Sequence, residues 1–131
     1  KKQIPIALKG NKQLSITGDK FYFRQIIENL LSNALKFSQE GSLIKISVWE
    51  EEFGIRKIAI ADQGPGISEE DQHKLFRKYQ RLSAKPTAGE SSVGLGLSIV
   101  KSYAEAMNGK IEVSSVLGKG TTFTLSLPKP V

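Results

Sequence analysis

No cysteine occurs anywhere in the chain. That absence excludes disulfides and thiolate metal sites and is compatible with a reducing compartment. Long apolar runs are missing as well. None approaches the roughly 20 residues needed to span a bilayer, and Lys1, Lys2 and Gln3 open the chain without the apolar stretch of a signal peptide. Histidine is nearly absent: His73 stands alone. Runs of like charge are also lacking. The net charge of +6 comes from lysines and arginines spread along the chain, with no interleaved aromatics, so a soluble basic surface explains it better than specific nucleic-acid binding.

What remains is the composition of an ordinary folded domain. Apolar residues at 39% suffice for one core, and charged residues at 24% argue against disorder. A length of 131 residues fits one domain, 1–131, with no repeat and no linker. Residues 3–9 and 13–17 read as short strands joined by a turn at Gly10-Asn11. Asp19 is placed to cap a helix. From Phe23 the apolar residues recur at 26, 27, 30, 31, 34 and 35, which predicts an amphipathic helix from Lys20 to Ser38. Ile44, Ile46 and Val48 alternate with polar positions as in a half-buried strand, and a second strand follows over Ile55–Ala61.

Asp62-Gln63-Gly64-Pro65-Gly66 must then form a loop. Short helical pieces are expected around Ser68–Tyr79 and an irregular loop over Ser83–Ser92. A second amphipathic helix starts after Gly94-Leu95-Gly96 and stops at Asn108-Gly109. Two strands close the chain. The last sets Phe123, Leu125 and Leu127 against Thr122, Thr124 and Ser126. This order of hairpins and long helices predicts a two-layer α/β sandwich, a mixed and mostly antiparallel sheet covered on one face by helices.

Three constellations could carry chemistry. Asn29, Asn33 and Lys36 sit at i, i+4 and i+7, on one stripe of the long helix beside its apolar face. An asparagine oxygen is a hard neutral donor suited to Mg²⁺, and a lysine pairs with phosphate as a point charge. Ordinary solvated helix residues would give the same pattern. Asp62 with Gly64, Gly66 and Ile67 offers a carboxylate to an exocyclic amine, beside glycines that permit close backbone approach. A tight turn with Asp62 as its cap explains the same residues. Gly94, Leu95, Gly96 and Leu97 run straight into a helix whose free N–H groups suit an anion. A hinge would look alike. No Gly-Lys-Ser/Thr follows, as a Walker loop requires, and no simple strand leads in, as a dinucleotide fingerprint requires.

Taken together and in order, these segments resemble the boxes of sensor histidine kinases. Residues 29–37 (NLLSNALKF) look like the N box, 62–67 (DQGPGI) like the G1 box, and Leu75-Phe76 through Arg81 like the F box. Gly94-Leu95-Gly96-Leu97 looks like the G2 box, and Gly120-Thr121-Thr122-Phe123 like the strand closing the adenine pocket. The resemblance covers essentially the whole chain and implies the GHKL (Bergerat) ATP-binding fold.

It further implies ATP and Mg²⁺ as ligands. Asn33 would bind the metal, while Asn29 and Lys36 would contact phosphates or the metal shell. Asp62 would bond the adenine amine, and Gly64, Gly66 and Ile67 would shape the base pocket. Gly94 to Leu97 would face the phosphates, and Thr122 would sit near the base. Phe76 would anchor an ATP lid over residues 80–93, and Arg81 would reach toward the γ-phosphate. Two departures, Arg77-Lys78 in the F box and Ser92 before the G2 glycines, bear on the lid.

Related ATPases and serine kinases of this fold carry a general-base Glu where Asn29 stands. Asn29 cannot accept a proton, and Glu28 points roughly 100° round the helix. The resemblance therefore implies phosphoryl transfer to histidine, since a neutral imidazole needs positioning and charge neutralisation rather than a base. The alternatives are a nucleotide-binding module without transfer, or an ATPase or serine kinase. The acidic and proline neighbours of a phosphoacceptor are missing around His73. The expected partner is thus a dimeric helical hairpin upstream, with a response regulator after it. The domain itself is expected to be monomeric, cytoplasmic and without direct membrane or nucleic-acid contact, though its parent protein could be membrane-anchored.

Overall fold

A computed structural model describes residues 6–10, 15–16, 18–76 and 95–130. The elements are β1 (Ile6–Gly10), α1 (Lys20–Phe37), β2 (Ile44–Glu50), β3 (Arg56–Asp62), the short α2 (Glu69–Gln72), α3 (Leu95–Ala106), β4 (Lys110–Val116) and β5 (Gly120–Leu127). The strands form a sheet in the order β1-β2-β3-β5-β4. β1 runs parallel to β2, and every other neighbouring pair is antiparallel.

Helix α1 starts where its cap dictates. The Asp19 Oδ1 accepts the backbone N–H groups of Phe21 at 2.7 Å and Tyr22 at 3.2 Å, satisfying two donors that the helix itself cannot. Ile26, Leu30, Ala34 and Phe37 are buried, one continuous stripe at helical spacing. Helix α3 answers with Leu97, Val100, Ala104 and, just past its end, Met107. Both stripes pack on Ile44, Ile58, Ile60, Phe123, Leu125 and Leu127 of the sheet. Asn108, at φ 61°, ends α3 in the left-handed region, and the N–H of Gly109 bonds back to the Ala104 carbonyl at 2.9 Å.

The sandwich is thus as expected, with local differences. Of the strand anticipated over 13–17, Ser15 and Ile16 are described and are not in a strand. The Ser15 carbonyl instead accepts from the Arg56 Nε at 3.1 Å, and Ile16 packs against the core. β1 pairs in parallel with β2. Gly10 ends that pairing at φ 99°, so close to Val48 that a Cβ would lie 1.9 Å from its carbonyl oxygen. β3 lies one residue later than Ile55–Ala61, and the Ile55 carbonyl just before it accepts the Glu51 N–H at 2.8 Å. Asp62 is consequently the last residue of a central strand.

Candidate active site at the end of the central strand

Four of the expected residues, Asn33, Asp62, Gly66 and Ile67, line one pocket together with Phe37, Pro65, Thr121 and Phe123. Each arrives there for a local reason. Asn33 lies between Leu30 and Phe37 on α1, beside the buried stripe and half-buried itself. Asn29 and Lys36 are half-buried on the same helix without lining the pocket, and Glu28 is exposed.

Asp62 stands at the pocket wall because β3 carries it there, opposite Thr121 of β5. Its Oδ1 accepts the Gly64 N–H at 2.9 Å, and the Thr121 backbone bonds to the same carboxylate. Desolvation by burial nevertheless pushes the carboxyl above its usual 3.8, against the lowering effect of those two backbone bonds. The turn after Asp62 admits little but glycine. A Cβ on Gly64 would sit 2.6 Å from the Phe37 carbonyl oxygen at the end of α1. Gly66, at φ 78°, would place one 2.3 Å from the Val116 carbonyl oxygen. Gln63 ties the same loop outward, its Oε1 accepting the Leu43 N–H at 3.0 Å.

Strand β5 brings Thr121 rather than Thr122 to the pocket wall. Thr122 does not line the pocket, whereas its neighbour Thr121, only 5% exposed, does. Side chains alternate across a strand, so Thr121 shares the inward face of Phe123, Leu125 and Leu127, and Thr122 points to the other face. The alternation legible in the sequence already carried this signal, because Thr122 falls in the polar set. Phe37, Pro65 and Phe123 were likewise not anticipated as lining residues. Their apolar character gives no signal beyond core membership.

The remaining expected residues are more dispersed. Gly64 supplies its N–H to Asp62 rather than a wall. Phe76 packs edge-on against Phe123, with ring centroids 6.4 Å apart, and so braces the pocket from behind. Leu95, Gly96 and Leu97 form the first turn of α3, where backbone N–H groups have no partner within the helix. The Leu97 side chain is buried in the core. Arg81 and Gly94, with the lid over 80–93, lie outside the described residues.

The cavity measures about 10 Å³, room for a single water beside Asp62. A flat base must therefore enter from the pocket's open side or part its walls. Among the described residues no three His, Cys, Asp or Glu side chains gather as a metal cage. The donors on offer are one carboxylate, one amide and one hydroxyl among apolar walls. That set suits a base with an exocyclic amine, and suits a cation only if the ligand's own oxygens complete its shell.

A family profile described as histidine kinase-, DNA gyrase B-, and HSP90-like ATPase matches residues 18–131. The circadian input-output histidine kinase CikA of Synechococcus elongatus is 36% identical over 97% of this chain and 17% of its own length. The sensor histidine kinase WalK of Bacillus subtilis is 36% identical over 90% of this chain and 20% of its own. The chain thus spans about a fifth or less of these relatives. Among solved structures, the mycobacterial sensor histidine kinase MprB superposes with a TM-score of 0.81 at 26% identity, covering 98% of this chain and 85% of that one. Full-length ShkA in complex with AMPPNP gives 0.76 at 29% identity, over 96% of this chain and 25% of that one. No helix among the described residues is long and apolar enough to cross a membrane. The chain belongs to the histidine kinase-, gyrase B- and HSP90-like ATPase family, and within it to the catalytic ATP-binding domains of sensor histidine kinases.

Proposed function

We propose that this domain binds ATP with Mg²⁺ and places the γ-phosphoryl group for transfer to a histidine on a separate helical hairpin, which a response regulator then relieves of it. The observation that carries the reading is the convergence of Asp62 and Asn33 on one pocket, from a strand end and a helix that are far apart in sequence. Asp62, braced by two backbone bonds, accepts from the base's amine. Phe37, Ile67 and Phe123 supply apolar surface for the ring. Asn33 offers its amide oxygen to the metal, whose contribution when bound is to neutralise phosphate charge. Asn29 and Lys36, one turn to either side of Asn33 on the same helix, serve the phosphates, and so do the first-turn amides of Leu95, Gly96 and Leu97. The resemblance assigns Gly94 to the phosphates and Arg81 to the γ-phosphate as well, and both lie outside the described residues.

Asn29 also decides between reactions. Hydrolysis, or transfer to a hydroxyl, needs a base at that position, and an amide cannot serve. Transfer to a neutral imidazole needs orientation and neutralisation of phosphate charge rather than a base there. The test uses radiolabelled ATP, the isolated domain and a histidine-bearing hairpin supplied in trans. Label is expected on the hairpin only when the domain is present, with no steady phosphate release by the domain alone. Steady release would turn the reading to an ATPase. Nucleotide binding without label on any hairpin would leave a module that senses nucleotide without transferring phosphate.

A further inference from the structure

One hydroxyl next to the pocket has a role that no motif assigns. Ser115, on β4, meets three groups. Its Oγ accepts the Ile67 N–H at 2.7 Å, lies 2.9 Å from the Gly120 carbonyl oxygen, and lies 2.8 Å from the Thr121 Oγ1. Gln72 of α2 closes the cluster, its Nε2 donating to the carbonyl oxygens of Ile67 at 2.7 Å and Ser115 at 3.3 Å. Ser115 thereby joins the loop after Asp62 to the β4–β5 hairpin, and touches Thr121, the hydroxyl-bearing residue among those lining the pocket.

Counting protons fixes the direction of this cluster. A serine hydroxyl has one proton and two lone pairs. The Ile67 N–H fills one lone pair. The Gly120 carbonyl can only accept, so that contact requires the Ser115 proton. The 2.8 Å contact with Thr121 is then a hydrogen bond only if the Thr121 proton points at Ser115. No other assignment gives each of the three contacts a proton. With its proton spent on Ser115, the Thr121 oxygen turns only lone pairs toward the pocket.

We infer that Ser115 is a positioning residue that holds Thr121 as a hydrogen-bond acceptor, so that the pocket selects a purine with an amino rather than an oxo group at C6. The inference rests on the nucleotide reading above. Asp62 and Thr121 stand opposite each other on paired strands and both line the pocket. Two acceptors there, acting directly or through a water, match the two N–H donors of adenine's amine. The same two acceptors confront the lone pairs of a hypoxanthine oxygen. Removing Ser115 frees the Thr121 proton to rotate inward and meet that oxygen.

The test compares ADP with IDP, which differ at the base in that group and in the proton that hypoxanthine carries on N1, by calorimetry on the domain; the Thr121→Val background below separates the two differences. Wild type is expected to prefer ADP. Ser115→Ala should narrow the ADP-to-IDP affinity ratio about tenfold, equivalent to about 1.4 kcal/mol, and Ser115→Thr should restore it. In a Thr121→Val background, Ser115→Ala should leave the ratio unchanged. Equal weakening of both nucleotides by Ser115→Ala would overturn the assignment and leave Ser115 a brace of the loop. Should Ser115→Ala fail to fold, Thr121→Val against Thr121→Ser decides: the valine should narrow the ratio and the serine keep it, and an unchanged ratio in the valine variant overturns the inference. A folded wild type that binds neither nucleotide would withdraw the nucleotide reading and this inference with it, an outcome distinct from equal weakening.

Discussion

Replacing Asp62 by Asn removes one charge and one pair of lone pairs while keeping the side chain's shape. In the structure the carboxylate already serves the backbone at Gly64 and Thr121. Its remaining lone pairs are what a base amine can use. An asparagine has one oxygen for these tasks, and its NH₂ must face either a backbone N–H or the ligand's own amine. A hydrogen bond to a charged group contributes about 1.5–3 kcal/mol. The variant should therefore bind ADP roughly ten- to a hundredfold more weakly. Calorimetry reads this directly, and unchanged far-ultraviolet dichroism shows that the fold survives.

The same substitution has a signature without ligand. Burial raises the folded carboxyl above 3.8, so the folded chain holds that proton to higher pH than the unfolded chain does. Between 3.8 and the raised value the folded state binds more protons, and its stability falls as pH rises. Above that window the loss is complete, and below 3.8 it is absent. Wild type should thus gain stability relative to Asp62→Asn as pH drops through the window. Denaturant midpoints measured across that range supply the comparison. ADP affinity within twofold of wild type, or a stability difference that moves the opposite way with pH, would refute the reasoning.

Three further outcomes follow from the geometry. Gly64→Ala puts a methyl 2.6 Å from the Phe37 carbonyl oxygen, so the loop must shift. A cost of about 1–3 kcal/mol in chemical denaturation is expected, with weaker ADP binding because Asp62 loses its Gly64 bond. Asn33→Ala should abolish any gain in ATP affinity that Mg²⁺ gives over chelator, while ADP binding without metal is largely retained. Equal Mg²⁺ dependence in variant and wild type would remove Asn33 from the metal. Leu30→Ala empties a site that is 1% exposed beneath α1 and should cost about 2–5 kcal/mol in thermal or denaturant unfolding, a loss under 1 kcal/mol arguing that α1 does not pack as described.

Elements whose rules are local were legible in the sequence. α1 could be bounded to within a residue because Asp19 is a strong cap and the apolar stripe is long. Asn108-Gly109 marks the stop of α3, with Asn108 rather than the glycine in the left-handed region. The partner of β1 was not legible. Parallel pairing with β2 joins strands separated by all of α1, and no short-range signal encodes it. A strand reading of 13–17 follows from the same weakness, since Leu14 and Ile16 alternate with polar residues yet Ile16 reaches the core from irregular backbone. At the site, the motif residues were visible by type, while the apolar lining was not. Phe37 and Phe123 differ from other core residues only in where the chain brings them. Thr121 was within reach, because strand parity already separated it from Thr122.

The loop after Asp62 links function to stability. A buried carboxylate with a raised titration point opposes folding at neutral pH, and Gly64 and Gly66 carry extra conformational entropy in the unfolded chain. Neither feature would be retained for packing alone, since an apolar residue at 62 would be easier to bury. The surroundings are built to hold both. The end of α1 presses on Gly64, the β4–β5 turn presses on Gly66, Gln63 grips Leu43, and Ser115 grips Ile67. The loop is thus held from helix, hairpin and turn at once. A single acceptor at the strand end therefore keeps its place without ligand, and a base that meets it finds the hydrogen bond already oriented.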